Sequence, residues 1–295
     1  MLFALCAVWG GTFPATKLAV SITNPLHFLT LRFLIASLLI LLAALVYPPL
    51  RNLFVSTYKT VGISLYRYGI LIGVLLFLGF LLQTVGMKYT TASRSGFFTG
   101  LLVIIVPLLA LLFRSSQMPL LATMGVIPAL AGIYLLADPK LGGLNLGDTL
   151  TIACAVVFAL QMVVLEIAMR KVKDVLAITA VQIFTVAILG LIISLIIGLP
   201  FQISATGWFA AIYTSLLGTL LAIWMQTRYQ PEVPAGYAGL IFSAEPIFAG
   251  VFAWLILEDT WSSKGLIGAG LILLGMIVSS LIVLPDRTKK HPPVI

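Results

Sequence analysis

One carboxylate lies near the middle of a long apolar stretch of this chain. Glu245 is followed directly by Pro246 within the apolar run 235–257. A run of that length crosses a bilayer as a helix, and an ionised side chain at its centre costs about 2.5 kcal/mol or more. A carboxylate there must face the protein interior or a water-filled cavity. We therefore predict that Glu245 binds a cationic group or carries a coupling proton.

Pro246 offers a second explanation for this acidic side chain. Proline cannot donate to the helix ladder and crowds the carbonyl of Phe242, four residues earlier, so the helix should bend or loosen there. Glu245 could then satisfy the backbone groups that are freed, or pair with a buried Arg or Lys. The sequence leaves both roles open. Pro14 and Pro107 lie inside other apolar runs, so Pro14, Pro107 and Pro246 are the predicted hinge or kink positions.

Further polar side chains also lie inside apolar runs. Gln83, Gln161 and Gln182 are amides in helix interiors, and Gln226 closes another run. In a bilayer such groups face protein or water rather than lipid. Each could line a cavity or form an interhelical hydrogen bond. Thr99 could let a solute approach the fourth run, although helix packing is the commoner role of such a residue.

Aromatic and basic residues complete the candidate set. Trp9, Phe13 and Phe158 could offer aromatic surface to a planar solute, whereas aromatic residues near span ends, such as Trp224, more often anchor a helix at the interface. Arg32 could bind an anionic group with its planar fork or make a structural pair. The predicted substrate-binding or coupling residues are Glu245, Trp9, Phe13, Arg32, Gln83, Thr99, Phe158, Gln161, Gln182 and Trp224.

Enzyme chemistry has no recognisable motif in this chain. The sequence contains no HExxH, CxxC, Walker or GxSxG motif, and His27 and His291 lie too far apart in the predicted topology to share a metal. Glu166 and Arg170 are four residues apart at the end of one run, which predicts a surface ion pair. We therefore expect no enzyme activity, no metal and no cofactor.

The composition indicates a membrane protein. Hydrophobic residues make up 61% of the 295 residues and charged residues only 9%, whereas about 25% are charged in a soluble globular protein. The formal net charge of +8 comes mostly from basic residues in short loops, which membrane orientation explains better than a nucleic-acid partner. The predicted partners are the lipid bilayer and a small-molecule substrate, with no nucleic acid, and the oligomeric state stays open.

Ten apolar runs are long enough to be membrane spans. Eleven Lys and Arg residues fall on one side of these spans and six on the other, so the positive-inside rule places both termini in the cytoplasm, with the chain in the cell's inner membrane. A short basic tail, 286–295, follows the last span. The predicted spans are 2–22, 27–47, 68–87, 93–113, 120–137, 148–167, 175–199, 205–226, 235–257 and 263–284.

Glycine and proline positions recur between the two parts of the chain. Five spans per half is an odd number, so the second half must enter the membrane from the opposite side, as in an inverted repeat. We predict an all-α integral membrane protein with ten transmembrane helices, arranged as two inverted five-helix repeats, 1–138 and 139–285, around a central cavity. Equivalent positions are Gly79 and Gly218, Gly100 and Gly239, and Pro107 and Pro246 at an offset of 139, and Trp9 and Phe158, and Arg32 and Gln182, at an offset of 149 to 150.

The sequence also resembles EamA-type carriers of the drug/metabolite transporter superfamily over essentially its whole length. The resemblance is carried by Trp9 and Phe13, by Leu31-Arg32-Phe33, and by the stretches LLQTVGMKYTTASRSGFFTGLLVIIVPLLAL and AGLIFSAEPIFAGVFAWLILED. It implies a ten-helix inverted repeat with a central cavity that moves small metabolites, often outward. The chain departs from the family pattern after the fourth span, where 114–117 stand in place of the usual glutamate.

Together these observations predict a secondary active transporter that exports a small metabolite by alternating access. An aromatic lining with one acid favours an amino acid, an amine or a similar solute over a phosphorylated sugar, because no interior cluster of Lys and Arg neutralises phosphate. One alternative is an integral membrane enzyme that acts on lipid-linked substrates. Another is a membrane partner that transports nothing. Short, weakly acidic loops argue against the enzyme, and polar residues at mid-depth argue against the partner.

Overall fold

A computed structural model describes residues 1–48, 56, 59–60, 62–113, 124–137, 144–198, 202–259 and 262–283. Within these ranges all regular structure is helical. Several parts of the predicted layout fall outside them: the turn 114–117, the beginning of the predicted fifth span, most of the connector 138–147 and the tail 286–295.

Most of the predicted spans correspond to helices that can cross a bilayer. Eight helices in the part of the chain that the structure describes are long and apolar enough to do so. We number the helices by span and give broken spans a letter for each part. The first-half helices are α1 (Leu2–Val20), α2 (Pro25–Val46), α3 (Ile63–Tyr89), α4a (Ala92–Thr99), α4b (Leu102–Leu112) and α5 (Val126–Ala137). The second-half helices are α6 (Leu146–Val172), α7 (Val175–Ile197), α8a (Ala205–Tyr213), α8b (Ala222–Tyr229), α9a (Ala235–Phe242), α9b (Glu245–Leu257) and α10 (Ser263–Val283).

Two helices are not among the eight spanning candidates. These are α5, whose described part is 12 residues long, and α10, which is apolar over its 21 residues but has continuously described side chains only from Ser263 to Gly275. They occupy the positions of the predicted fifth and tenth spans and pack against each other. Within the described residues eight helices are therefore long and apolar enough to span a membrane, and the ten-span arrangement stays a prediction.

Helices four and nine are each broken near the middle. The first break falls between Thr99 and Leu102 and the second at Ser243 and Ala244. At the second break the Ala244 amide donates to the Ile241 carbonyl at 3.1 Å, a three-residue step that ends α9a. The expected distortion near Pro246 is thus a complete restart of the helix. Pro246 lies in the first turn of α9b, where proline removes no intrahelical hydrogen bond.

The other two predicted kink residues lie inside continuous helices. Pro14 is in α1 and Pro107 is in α4b. Helix eight contains a distortion that no proline marks: a π-helical segment, Thr214–Leu221, separates α8a from α8b. Wide turns of this kind are rare and are often found at functional sites.

Close helix approach depends on glycines in α3. A methyl group added to Gly69 would lie 2.5 Å from Val181, and one added to Gly73 would lie 2.5 Å from Thr185. Both partners are on α7, so α3 and α7 pack closely at these two glycines. Only glycine lets the two helices meet at this separation.

Helices of the two halves also meet in reciprocal pairs. The helix α2 packs against α7, α4a against α9b, and α4b against α9a. Between α5 and α10 the contacts are reciprocal at the level of residues: a methyl group on Gly132 would lie 2.4 Å from the Gly268 carbonyl, and one on Gly275 would lie 2.4 Å from the Gly125 carbonyl. Gly125 and Gly132 have the same seven-residue spacing as Gly268 and Gly275.

Candidate functional site

A cavity of about 460 Å³, its opening included, lies between the two halves of the chain. Both halves contribute to its wall, which is formed by α1, α3 and α4 on one side and α6, α8b and α9 on the other. The lining residues are Trp9, Thr12, Phe13, Leu76, Phe80, Gln83, Thr99, Leu102, Phe158, Gln161, Met162, Gln226, Phe242 and Glu245.

Glu245 is the one ionisable residue in this described lining. The residue is 5% exposed, and among the described residues none donates a hydrogen bond or forms an ion pair to its carboxylate. Its titratable neighbours are the buried thiols of Cys6 and Cys154. As the first residue of α9b, Glu245 lies at a helix N-terminus, where the helix dipole stabilises a negative charge.

Each amide in the cavity lining forms a hydrogen bond to another lining side chain. The Gln226 amide donates to the Gln161 carbonyl oxygen at 3.1 Å, and the Gln161 amide donates back at 3.5 Å. The Gln83 amide donates to Thr99 Oγ1 at 3.2 Å, and that hydroxyl donates to the Ser95 carbonyl at 2.9 Å. These side chains therefore act both as cavity lining and as interhelical hydrogen bonds, the two roles that the sequence left open.

Aromatic rings enclose the cavity from both halves. Trp9 and Phe242 pack edge to face with centroids 5.6 Å apart, and Phe80 and Phe158 do so at 5.1 Å. Such pairs are preferred by the ring quadrupole. Phe13 adds a fifth, fully buried ring. The result is a polarisable wall that surrounds a single acidic group.

The π-helical segment of helix eight anchors the wall. The Gly218 carbonyl accepts from Trp9 Nε1 at 3.2 Å and from Arg32 Nη2 at 2.8 Å, and Arg32 Nε donates to Thr219 Oγ1 at 2.6 Å. The Arg32 guanidinium also lies 4.7 Å from the centroid of the Phe80 ring. Arg32 therefore holds Phe80 and the wide turn together from outside the cavity.

The structure brings together seven of the ten predicted site residues. Glu245, Trp9, Phe13, Gln83, Thr99, Phe158 and Gln161 all line the cavity, and so does Gln226. The other three lie elsewhere. Arg32 is buried behind the wall, Gln182 is buried on α7 and donates to Thr227 Oγ1 at 2.9 Å, and Trp224 packs edge to face on Tyr229.

Six lining residues were not anticipated from the sequence. Helical spacing would have indicated most of them, because residues three and four apart share a face of a helix. Thr12 lies three residues after Trp9, Met162 lies one after Gln161 and four after Phe158, and Phe80 and Leu76 lie three and seven before Gln83. The six are Thr12, Leu76, Phe80, Leu102, Met162 and Phe242.

One end of the helix bundle is joined by a polar network. Arg94 pairs with Asp148 through Nη2 at 2.6 Å, and Thr90 Oγ1 donates to the same carboxylate at 2.6 Å. Lys17 Nζ donates to the carbonyls of Met87 and Thr90, each at 2.7 Å. The network links α1 and α4a to the beginning of α6.

The opposite end is joined through Glu166. The predicted pair with Arg170 is present at 2.5 Å, but its placement on the surface was wrong, because Glu166 is buried. The second carboxylate oxygen accepts from the Ala235 amide at 3.1 Å. Glu166 therefore satisfies an otherwise unpaired amide at the beginning of α9a. Among the described residues no group of His, Cys, Asp and Glu is suited to hold a metal ion.

Apolar helices of spanning length around a mostly apolar cavity that contains one carboxylate define a multi-pass membrane protein with an internal cavity. The chain belongs to the EamA-like transporter family, whose model matches it twice, at residues 1–137 and 145–281. It is similar to an uncharacterized transporter of Archaeoglobus fulgidus, at 30% identity over 95% of this chain and 84% of the relative. It is also similar to the uncharacterized transporters YetK, at 25% identity over 94% and 85%, and YvbV, at 27% identity over 98% and 92%, both from Bacillus subtilis.

The fold has a counterpart among solved structures. One crystal structure superposes with a TM-score of 0.70 over 94% of this chain and 96% of the other, at 16% sequence identity. That similarity concerns the fold alone. The family match and the relatives identify this chain as a membrane transporter and not as an enzyme.

Proposed function

We propose that the chain is a secondary active transporter that exports a small metabolite, such as an amino acid or an amine, by alternating access. The observation that carries the proposal is the Glu245 carboxylate, which is buried in a cavity between the two halves and has no partner among the described residues. Burying a charge inside a membrane protein costs free energy, so a buried charged residue there usually serves a function. Glu245 is then the group that binds the solute, a proton, or each in turn.

The architecture that we propose is ten transmembrane helices in two inverted repeats, 1–138 and 139–285. Two separate matches to one family model, 1–137 and 145–281, support a duplicated chain. The reciprocal contacts between α5 and α10 support a twofold relation of the halves. In a twofold interface every contact occurs twice, with the two halves exchanging roles. The two broken helices, four and nine, then meet at the centre, as broken helices do in inverted-repeat carriers.

Transport requires that the cavity opens to each side in turn. The polar network around Asp148 joins the helices at one end, and the contact between Glu166 and the Ala235 amide joins them at the other. Opening towards either side must separate one of these connections while the other stays closed. Rocking of the two repeats about the cavity would separate the Asp148 network, which joins the repeats. The Glu166 contact lies within the second repeat, so its separation also requires α6 and α9a to move against each other.

Coupling follows from the chemistry of a single carboxylate. The group can neutralise its charge with a proton or with a cationic part of the solute, and the two compete for the same oxygens. A gradient of one can therefore drive the other. Besides Glu245, we propose as solute-contacting residues the six other predicted residues that line the cavity, together with Gln226: Trp9, Phe13, Gln83, Thr99, Phe158, Gln161 and Gln226. For Arg32, Gln182 and Trp224 we propose supporting roles outside the cavity.

The orientation that we propose has both termini in the cytoplasm of the inner membrane. It rests on the excess of Lys and Arg in the loops that share a side with the termini. Cysteines introduced singly into loops on each side, and labelled in intact cells with an impermeant reagent, test this orientation. If the loops on the same side as the termini are labelled from outside the cell, the proposed orientation is wrong.

The central experiment is solute exchange in proteoliposomes. Purified protein is screened for counterflow with amino acids and amines, and the rate is then measured as a function of pH. We expect Glu245→Gln to reduce exchange at least tenfold, or to leave exchange that no longer depends on pH, while expression and thermal stability stay unchanged. The matched control is Glu232→Gln, which removes an exposed carboxylate paired with Arg228 on the surface.

Two results would contradict the proposal. If no solute moves in the wild-type protein, the transport mechanism is wrong. If Glu245→Gln exchanges solute at the wild-type rate and with the wild-type pH dependence, the coupling role of Glu245 is wrong. A loss of stable protein for Glu245→Gln, but not for Glu232→Gln, would indicate instead that Glu245 serves the fold.

A further inference from the structure

We infer that the cavity selects organic cations, that is, solutes with an ammonium group on an aromatic or apolar body and no carboxylate. The inference rests on the proposed transport site at Glu245 and narrows its substrate class. It separates simple amines from zwitterionic amino acids, which the proposed function leaves together.

The first argument is the charge of the cavity. Of the described lining residues, only Glu245 can carry a charge. Charges interact strongly in a site that excludes water, because the effective dielectric constant is low. A solute with one positive charge compensates the carboxylate completely. A neutral solute leaves the charge uncompensated, and an anionic solute adds to it.

The second argument concerns unused hydrogen-bonding groups. Gln161 and Gln226 bond to each other, and the Gln83 amide bonds to Thr99. Thr12 Oγ1 donates to the Trp9 carbonyl at 2.7 Å. The carboxylate of Glu245 remains as a strong acceptor with no donor among the described residues. An ammonium group has donors and no acceptor, so it supplies what this acceptor lacks and demands nothing from the paired amides.

The third argument is the aromatic wall. Five of the lining side chains are aromatic: Trp9, Phe13, Phe80, Phe158 and Phe242. A cation over an aromatic ring is attracted by about 0.5–2 kcal/mol, with the larger values in desolvated sites. The same rings pack against the apolar body of the solute. Carboxylate and rings therefore favour the same class of ligand.

The fourth argument is the position of Arg32, which an amino-acid carboxylate would need as its partner. The guanidinium lies outside the described lining, donates to Thr219 and to the Gly218 carbonyl, and faces the Phe80 ring. To reach a solute in the cavity, the Arg32 guanidinium would have to break these contacts, which hold the π-helical segment and Phe80 in place. The carboxylate of a zwitterion would consequently be desolvated in the cavity without a cation.

A binding series on the purified full-length protein tests this inference without requiring transport. The ligands are phenethylamine, phenylalanine and phenethyl alcohol, which share a phenylethyl body and differ in charge. Dissociation constants are measured by isothermal titration calorimetry in detergent. We expect phenethylamine to bind at least tenfold more tightly than either of the others. Glu245→Gln should lose this preference, and Glu232→Gln should keep it.

Each outcome decides the inference. Equal or tighter binding of phenylalanine or phenethyl alcohol overturns it, and so does an absence of phenethylamine binding at millimolar concentration. Retention of the preference by Glu245→Gln also overturns it. If that variant does not fold, the three ligands on the wild-type protein still decide the charge preference. Tight amine binding that depends on Glu245, together with no amine movement in proteoliposomes, would instead sink the proposed transport and leave the cation site intact.

Discussion

The two halves of this chain agree in glycine and proline and differ in charge. Gly79 and Gly218 are equivalent at an offset of 139, and each lies where a neighbouring helix approaches closely. At the same offset Glu245 falls on Val106, a fully buried apolar residue. The shared residues control how closely helices pack, while the charged group that could bind a solute belongs to one half. In the inverted repeat that we propose, the helix scaffold is shared by the two halves and the charged group is not.

A second difference between the halves concerns the ends of the helices. An offset of 149 places Lys17 over Glu166. Lys17 donates to carbonyls at the end of α3, and Glu166 accepts from the amide that begins α9a. Helix ends leave unpaired carbonyls at the C-terminus and unpaired amides at the N-terminus, so opposite charges satisfy opposite ends. Equivalent positions thus perform the same task with opposite chemistry.

The largest effect on stability should come from the pair Arg32 and Gln182. Arg32→Met removes a buried cation with two hydrogen bonds that hold the π-helical turn, and we expect it to lower the free energy of unfolding by about 2 kcal/mol. Gln182→Met removes one hydrogen bond to Thr227, which is worth about 0.6 kcal/mol in a membrane protein. Within the described residues Gln182 Oε1 has no partner, so its removal offsets part of that loss.

Chemical denaturation in mixed micelles measures both variants against the wild type. Arg32→Lys is the matched control, because lysine keeps the charge but cannot reproduce the planar fork. It should recover less than half of the loss. Equal destabilisation by Arg32→Met and Gln182→Met would mean that the asymmetry between these positions has no energetic consequence.

Much of this asymmetry was visible in the sequence. The buried carboxylate, the interior amides and the recurring glycines each follow from one rule: a bilayer does not tolerate unpaired polar groups, and it rewards close helix contact. Seven of ten candidate residues line the cavity because polar and aromatic groups in interior positions have few other places to go. Periodicity would have added Thr12, Phe80 and Met162.

Other features depended on long-range contacts that no local pattern records. The π-helical turn at Thr214–Leu221 contains no proline and is held by Arg32 from another helix. Glu166 looks like half of a surface ion pair until α9a is placed against it. From the sequence Arg32 could bind an anion or make a structural pair, and only the positions of Gly218 and Phe80 place it behind the wall.

The next effect in size concerns the glycines that relate α5 to α10. Gly132→Ala would place its methyl group 2.4 Å from the Gly268 carbonyl, so the helices must separate. We expect a loss of about 1 kcal/mol, at the lower end of overpacking costs. The matched control is Gly270→Ala, on α10 itself, where nothing lies within 4 Å of the added carbon. This control should be neutral or slightly stabilising, because alanine favours the helix. Equal Tm values for the two variants in a thermal unfolding assay would show that this reciprocal contact does not hold the halves together.

The smallest effects should come from substitution of Lys17 and of Glu166. The two substitutions should change the labelling of a cysteine near the Lys17 end in opposite directions. Ser95 is fully buried on α4a, one turn inside the Lys17 end, with Oγ 3.4 Å from Thr151 Oγ1. A Ser95→Cys reporter is alkylated with an impermeant maleimide in proteoliposomes, and the same proteins without the reporter correct for Cys6 and Cys154. Lys17→Met removes a cation at the end of α3, a contact worth up to about 1 kcal/mol, so labelling should rise about fivefold.

Glu166→Gln weakens the opposite end, and its effect on the same reporter distinguishes two explanations. If the two ends open alternately, a substitution that favours opening at the Glu166 end also favours closure at the Lys17 end. Labelling of Ser95→Cys should then be slower than in the protein that carries the reporter alone. If each contact merely stabilises its own helix ends, Glu166→Gln should leave the rate unchanged. A rise with both variants would mean that either loss loosens the whole bundle, which would contradict alternation. The two equivalent positions then report whether the opposite charges act as a pair of gates or as independent helix caps.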